Sequence, residues 1–158
     1  MEKQSVIHNT FVIEKRYAAK PEKVFAAFGD ASKKRRWFVE GRSHTVESYE
    51  LDFREGGKER AHSRFLKEVP VVGGLTMTNE TTYLDIVSNK RLVFESVMMI
   101  EGRKISASLC TVEFLATDKE TDLLFTHQAA FFEGADGPEM REEGWRKLFE
   151  RLKAELEG

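Results

Sequence analysis

Between Pro138 and Glu157 the large apolar side chains recur at helical spacing: Trp145, Leu148, Phe149, Leu152 and Leu156 form one stripe. Glu142, Glu143, Arg146, Lys147, Glu150, Arg151 and Lys153 occupy the rest of the surface, so the pattern predicts one amphipathic helix with a buried face. Upstream the pattern changes to alternation. Strands are expected at about Glu47 to Phe53, Lys58 to Phe65, Met77 to Val87, Arg91 to Ile100, Ile105 to Leu115 and Asp122 to Phe131, after a first strand from Thr10 to Tyr17. Gly56-Gly57, Ser88-Asn89-Lys90, Glu101-Gly102-Arg103 and Asp118-Lys119-Glu120 are turn material, which makes the later strands an antiparallel meander. Pro70 to Gly74 is a longer Pro/Gly-rich loop.

Two short helices interrupt this run after the first strand. Pro21 suits a helix start, because its missing N–H would be unpaired there anyway, and Val24, Phe25 and Phe28 give an apolar face. Gly29 ends that helix, and Asp30 can cap a second one running through Trp37. The sum is an α+β fold in which a long C-terminal helix lies against a curved antiparallel sheet, an arrangement that often encloses a pocket.

Alternation assigns the inward faces. Leu123, Phe125, His127 and Ala129 share one side of the last strand; Leu92, Phe94, Ser96 and Met98, and Ser106, Ser108, Cys110, Val112 and Phe114, face the same way from its neighbours. Inward serines beside phenylalanines suggest a cavity with polar spots, since a solid core leaves hydroxyls costly unless they are bonded. The expected ligand-contacting set is Trp37, Phe53, Tyr83, Phe94, Met98, Phe114, Phe125, His127, Trp145 and Phe149, with ordinary core packing as the alternative for Trp37, Phe53, Trp145 and Phe149. The hollow is expected beneath Trp145 and Phe149.

Length and charge narrow the picture. Residues 1–158 suit a single domain, which at this size buries roughly 70% of its unfolded surface. With 25 basic and 27 acidic side chains the net charge is −2, so no general positive field draws the chain to nucleic acid. Glu14, Lys15, Arg16, Lys20, Glu22 and Lys23 interrupt any apolar run near the start, so neither a membrane segment nor export is expected, and the lone Cys110 is compatible with cytoplasm. In its strand Cys110 reads as a small buried hydrophobe.

His127 is the sharpest chemical candidate, because imidazole titrates near neutrality; the alternative is a histidine bonded to a nearby hydroxyl or carbonyl. Tyr83 and Glu59 reach the same cavity if the strand register turns them inward, where a carboxylate among aromatics would have a raised pKa; otherwise Glu59 has a structural or surface role. Lys33-Lys34-Arg35-Arg36 could bind an anionic group or partner, but a run of four reads first as a solvated helix face. His8, His44, His62 and His127 lack ligand spacing, and no phosphate loop, dinucleotide fingerprint or nucleophile elbow occurs, so no metal and no cofactor are expected.

Specific strings carry a family resemblance. Lys20-Pro21-Glu22-Lys23-Val24-Phe25 followed by Trp37-Phe38, Asp52-Phe53-Arg54-Glu55-Gly56-Gly57, Leu84-Asp85-Ile86 before Arg91-Leu92-Val93-Phe94, and Glu143-Gly144-Trp145 occur in order over nearly the whole chain. The chain thereby resembles the START-like, birch-pollen-allergen-like helix-grip superfamily (SRPBCC), in its branch named after the activator of the heat-shock-protein ATPase (AHSA1-like). The resemblance implies a cavity between sheet and terminal helix for a small hydrophobic or aromatic molecule. It admits two other functions: an enzyme of the cyclase, dehydratase or hydrolase kind, with His127 as acid or base and Tyr83 or Glu59 assisting, or a module that binds a chaperone. An edge strand or the Gly73-Gly74 loop offers a surface for a homodimer.

Overall fold

A computed structural model describes residues 2–158. Strand β1 (Ile7–Tyr17) leads into helices α1 (Pro21–Gly29) and α2 (Ala31–Lys34), the latter widening into a π-helical turn (Arg35–Val39). Strands β2 (His44–Leu51), β3 (Lys58–Phe65), β4 (Thr76–Val87), β5 (Arg91–Ile100), β6 (Arg103–Ala116) and β7 (Thr121–Phe131) follow, and helix α3 (Pro138–Glu157) closes the chain. All seven strands form one sheet in the order β1-β7-β6-β5-β4-β3-β2. Every neighbouring pair is antiparallel, and the chain order departs from a plain meander only where β1 pairs with β7. The curved sheet grips α3, as the residue pattern predicts.

The boundaries of β3, β5 and α3 coincide with the expected ones, while β1, β6 and β7 extend beyond them. Strand β2 is displaced towards the N-terminus because Asp52 to Gly57 is committed to a turn. There the Asp52 N–H donates to the Lys58 carbonyl at 2.9 Å and the Gly57 N–H to the Arg54 carbonyl at 2.8 Å. The second helix also differs: Asp30 caps it by accepting from the Lys33 N–H at 3.0 Å, but the widened turn carries it on to Val39. Lys34, at the end of α2, and Trp37, within the widened turn, both face inward, at 3% and 1% exposure. The solvated-face reading of the basic run is therefore corrected at Lys34.

The core is concentrated towards one end of the sheet. Phe125 and Phe149 meet edge-on at 5.2 Å between centroids, Phe28 packs edge-on against Phe114 at 5.3 Å, and Trp37 donates its indole N–H to the Ala27 carbonyl at 2.8 Å. Tyr17 donates its hydroxyl to the Phe149 carbonyl at 2.9 Å, a buried bond that ties β1 to the middle of α3. Such a bond contributes about 1 kcal/mol and also fixes where along the sheet the helix sits. Leu152 and Leu156 complete the seal.

Candidate functional site

Beneath the N-terminal half of α3 the packing opens into a cleft of about 880 Å³. Phe65, Met77, Met98, Ile100 and Ile105 form its sheet-side apolar wall, and Met140, Trp145 and Leu148 its helix side. The π-helical turn contributes Phe38 and Val39, and the β3–β4 loop contributes residues 69–72. Val71 at the loop tip is 99% exposed and Met140 is 64% exposed, so these two mark a mouth open to solvent.

The expected ligand-contacting residues divide into two groups. Met98, His127 and Trp145 line the cleft. Trp37, Phe94, Phe114, Phe125 and Phe149 are buried in the packed core, and half-buried Phe53 lies edge-on against Phe25 and Tyr83, in the space that the absent side chain of Gly29 leaves. The hollow beneath Phe149 is thus corrected: that ring fills its own space, and the opening lies one to two helical turns towards the N-terminus. The reason is side-chain size, because rings oppose rings at one end of the sheet while Ala61, Ser63, Ser96, Ser106 and Ser108 face α3 at the other.

Glu59 and Tyr83 face inward but are consumed by another structure. Glu59, 2% exposed, accepts from Lys34 Nζ at 2.8 Å, from the Tyr83 hydroxyl at 2.8 Å and from the Tyr49 hydroxyl at 2.6 Å. Lys34 also donates to the Tyr83 oxygen at 3.0 Å and lies 4.6 Å from the Phe38 ring centroid. Burial, reinforced by the Glu59 charge, raises both phenols above their ordinary pKa. Neither Glu59 nor Tyr83 lines the cleft that His127 lines. The arrangement is a closed ion-pair network, and it does not assemble the three groups around one point.

His127 is 1% exposed and stacks on Phe11, with centroids 4.5 Å apart and planes at 13°. No hydroxyl or carbonyl of the protein bonds its enclosed Nδ1. Burial, with the nearby Arg141 charge, lowers its pKa from 6.5 to about 4, so the ring is neutral at neutral pH. Arg141 itself is buried. Its Nε and Nη2 reach the two carboxylate oxygens of Asp136 at 2.8 and 2.7 Å, and Nη2 reaches Ser106 Oγ at 3.0 Å.

Arg141 and Asn79 are cleft residues that the sequence reading passed over. Both carried a signal: Arg141 lies one turn before Trp145 on the apolar stripe, and Asn79 shares the inward alternation of Tyr83. Cys110 is buried, and its thiol pKa is pushed up to about 12 mainly by desolvation. Among the described residues no three His, Cys, Asp or Glu side chains gather as a metal site, and no helix is long and apolar enough to cross a membrane.

Two measurements check these assignments. Glu59→Leu leaves Lys34 charged and buried beside two unmatched phenols, so urea unfolding should show a loss of about 3–5 kcal/mol, partly recovered in Lys34→Met/Glu59→Leu. For His127, the unfolded chain takes up a proton as pH falls below 6.5 while the folded chain resists until about 4. Its contribution is intact above pH 6.5 and is lost on acidification towards pH 4, on the order of 3 kcal/mol in total. The stability of wild type relative to His127→Phe should fall by that amount across this window; a pH-independent difference overturns the neutral buried imidazole.

Solved structures share this architecture. A protein from Rhizobium leguminosarum matches with a TM-score of 0.87 and 34% identity over 97% of each chain. The Mll3558 protein from Rhizobium loti matches with a TM-score of 0.83 and 41% identity, over 96% of this chain and 99% of its own. An AHSA1-like protein from Aeromonas hydrophila, at 20% identity, shares the fold with a TM-score of 0.69 over 94% of this chain and 92% of its own. No curated protein matches the sequence. The family model for activator of Hsp90 ATPase homolog 1-like proteins matches residues 18–157, and the chain belongs to that family.

Proposed function

We propose that this protein binds a small hydrophobic or aromatic molecule in the cleft between the sheet and the N-terminal half of α3. The observation that carries this reading is the cleft itself: at about 880 Å³ it lies within the range of about 300–1,000 Å³ typical of small-molecule sites. Its walls have the composition of such sites, with aromatic and thioether side chains around a few polar groups. Trp145 and Phe38 stack face to tilted face at 5.6 Å beside the opening and offer a flat ligand a broad surface. Met77 and Met98 bring unbranched, adaptable side chains that conform to irregular shapes. The fold of the family, which often holds hydrophobic ligands, supports the same reading.

Thermal unfolding in the presence of a library of hydrophobic and aromatic compounds tests it. A compound at a hundred times its dissociation constant should add about 2.7 kcal/mol of apparent stability. Ala61→Phe, which places a ring in the cleft, should keep the fold and abolish the shift. The reading fails if no compound shifts the wild type, or if the shifts persist undiminished in Ala61→Phe.

A further inference from the structure

We infer that the molecule held in the cleft carries an uncharged hydrogen-bond acceptor, such as a ketone, ester or amide oxygen, and that Arg141 Nη1 is the donor that receives it. This deepens the proposed function and rests on the cleft being a ligand site. Arg141 borders the cleft together with Ser106, Asp136 and Met98. Ser106 lies opposite Met98 in the β5–β6 ladder, so the guanidinium bonded to Ser106 stands over the β6 side of the cleft.

The guanidinium is held along one edge only. Nε and Nη2 donate to the two carboxylate oxygens of Asp136 at 2.8 and 2.7 Å, Nη2 also donates to Ser106 Oγ at 3.0 Å, and the Phe131 ring centroid lies 5.0 Å from Cζ. Nη1 bonds no acceptor among the described residues, yet it is not one of the enclosed unpartnered atoms, so solvent reaches it. Arg141 is 7% exposed and borders the cleft, which assigns that access to the cleft side. Two N–H groups on a rigidly held donor therefore face whatever enters. A guest that displaces water from Nη1 without supplying an acceptor leaves a charged donor unmatched, a penalty worth roughly fivefold to a hundredfold in binding. Because the donor is fixed in advance, little ordering cost offsets the bond.

The charge inventory selects a neutral acceptor. Asp136 also borders the cleft and pairs with Arg141 through both of its oxygens, so the pair offers donors without net charge. A carboxylate guest brought to Nη1 would meet the Asp136 carboxylate as well, and would lose its hydration without gaining a free counter-ion. The other guanidinium on the cleft, Arg151, lies roughly 15 Å further along α3 and donates to the Arg36 carbonyl at 2.7 Å. It cannot serve the same group. A neutral carbonyl oxygen loses less on leaving water and accepts from Nη1 directly. Sites of this kind discriminate strongly against analogues that lack the bonded group.

Three probes share one apolar body and differ at one position: 4-acetylbiphenyl, its hydrocarbon isostere 4-isopropenylbiphenyl, and 4-phenylbenzoate, each titrated at neutral pH by thermal shift. The expected result is that the ketone binds at least tenfold more tightly than either of the others. Its bound carbonyl stretch, read by infrared spectroscopy on the wild type, should lie below its value in hydrocarbon solvent. Arg141→Met should reduce the advantage of the ketone over the isostere below threefold while the isostere still binds, which also shows that the variant folds. Asp136→Asn, which leaves the Arg141 charge unmatched, should raise the affinity for 4-phenylbenzoate at least tenfold. If the isostere binds as tightly as the ketone, or the carbonyl stretch is not lowered, the inference is overturned and the cleft remains a ligand site. Binding of 4-phenylbenzoate to the wild type as tightly as the ketone, or no gain for it in Asp136→Asn, overturns the neutral character of the site. A preference for the ketone that survives in Arg141→Met removes the role given to Arg141. If none of the three probes binds, the inference and the proposed function fall together.

Discussion

Everything in this molecule follows from one mismatch of width: a single helix has to cover a sheet of seven strands. A helix with its side chains is about 10–12 Å across, whereas seven strands spaced at about 4.8 Å span roughly 29 Å. Even a strongly curved sheet leaves inner surface that α3 cannot reach, and something else has to fill the difference. At one end the filler is aromatic. Phe28, Trp37, Phe114, Phe125 and Phe149 interlock there, and the bond from Tyr17 to the Phe149 carbonyl holds the helix in register. At the other end alanine, serine and asparagine are interspersed among the larger Phe65, Met77, Met98, Ile100 and Ile105 on the sheet, and no ring from α3 interlocks with them as Phe149 does at the packed end. The cleft is the volume that remains between them.

A buried ion pair braces the sheet against the helical segment before β2. Lys34, the last residue of α2, bonds Glu59, with two tyrosine hydroxyls completing the carboxylate's hydrogen bonds. Burying such a pair yields little net stability against an apolar substitute, yet removing either member is costly, because the partner's charge is stranded. The network therefore acts chiefly as a positional device: it pins the turn to β3 and β4 and holds Phe38 beside Trp145 at the opening. Glu59 and Tyr83 are in this way bonded to each other and to Lys34 within the buried framework.

The elements were legible because period and punctuation agreed. The stripe from Trp145 to Leu156 and the turn residues at Gly56-Gly57 and Glu101-Gly102-Arg103 marked nearly every segment, and the strings around Pro21 and Trp145 pointed to the right family. The inward faces of β5, β6 and β7 were legible for the same reason. Two features were not. The basic run gave no sign that Lys34 would be buried, because four successive cations read as a solvated face and the counter-ion that makes its burial tolerable, Glu59, lies on β3, remote in sequence. Nor could alternation tell a packed stretch of inner face from an open one: Phe125 and His127 share a face, but whether a ring opposes each of them depends on where α3 is anchored, and that is set by contacts remote in sequence such as Tyr17 with Phe149.

Two positions of helix α3 border the cleft without filling it. Gly144 lies in its interior and lines the cleft, and a Cβ built there would meet no atom within 4 Å. Glycine inside a helix costs about 1 kcal/mol relative to alanine, and neither close packing nor a left-handed backbone demands it at this position. The same stretch carries Arg141, a buried cation that needs Asp136 and Ser106 to be tolerable where an apolar side chain would have closed the space. A helix selected for stability alone would place alanine or another strong helix former at 144 and an apolar residue at 141. Larger apolar side chains there would narrow the cleft, so the local weaknesses of α3 and the open volume beneath it are one feature, whereas at the Phe149 end packing is complete.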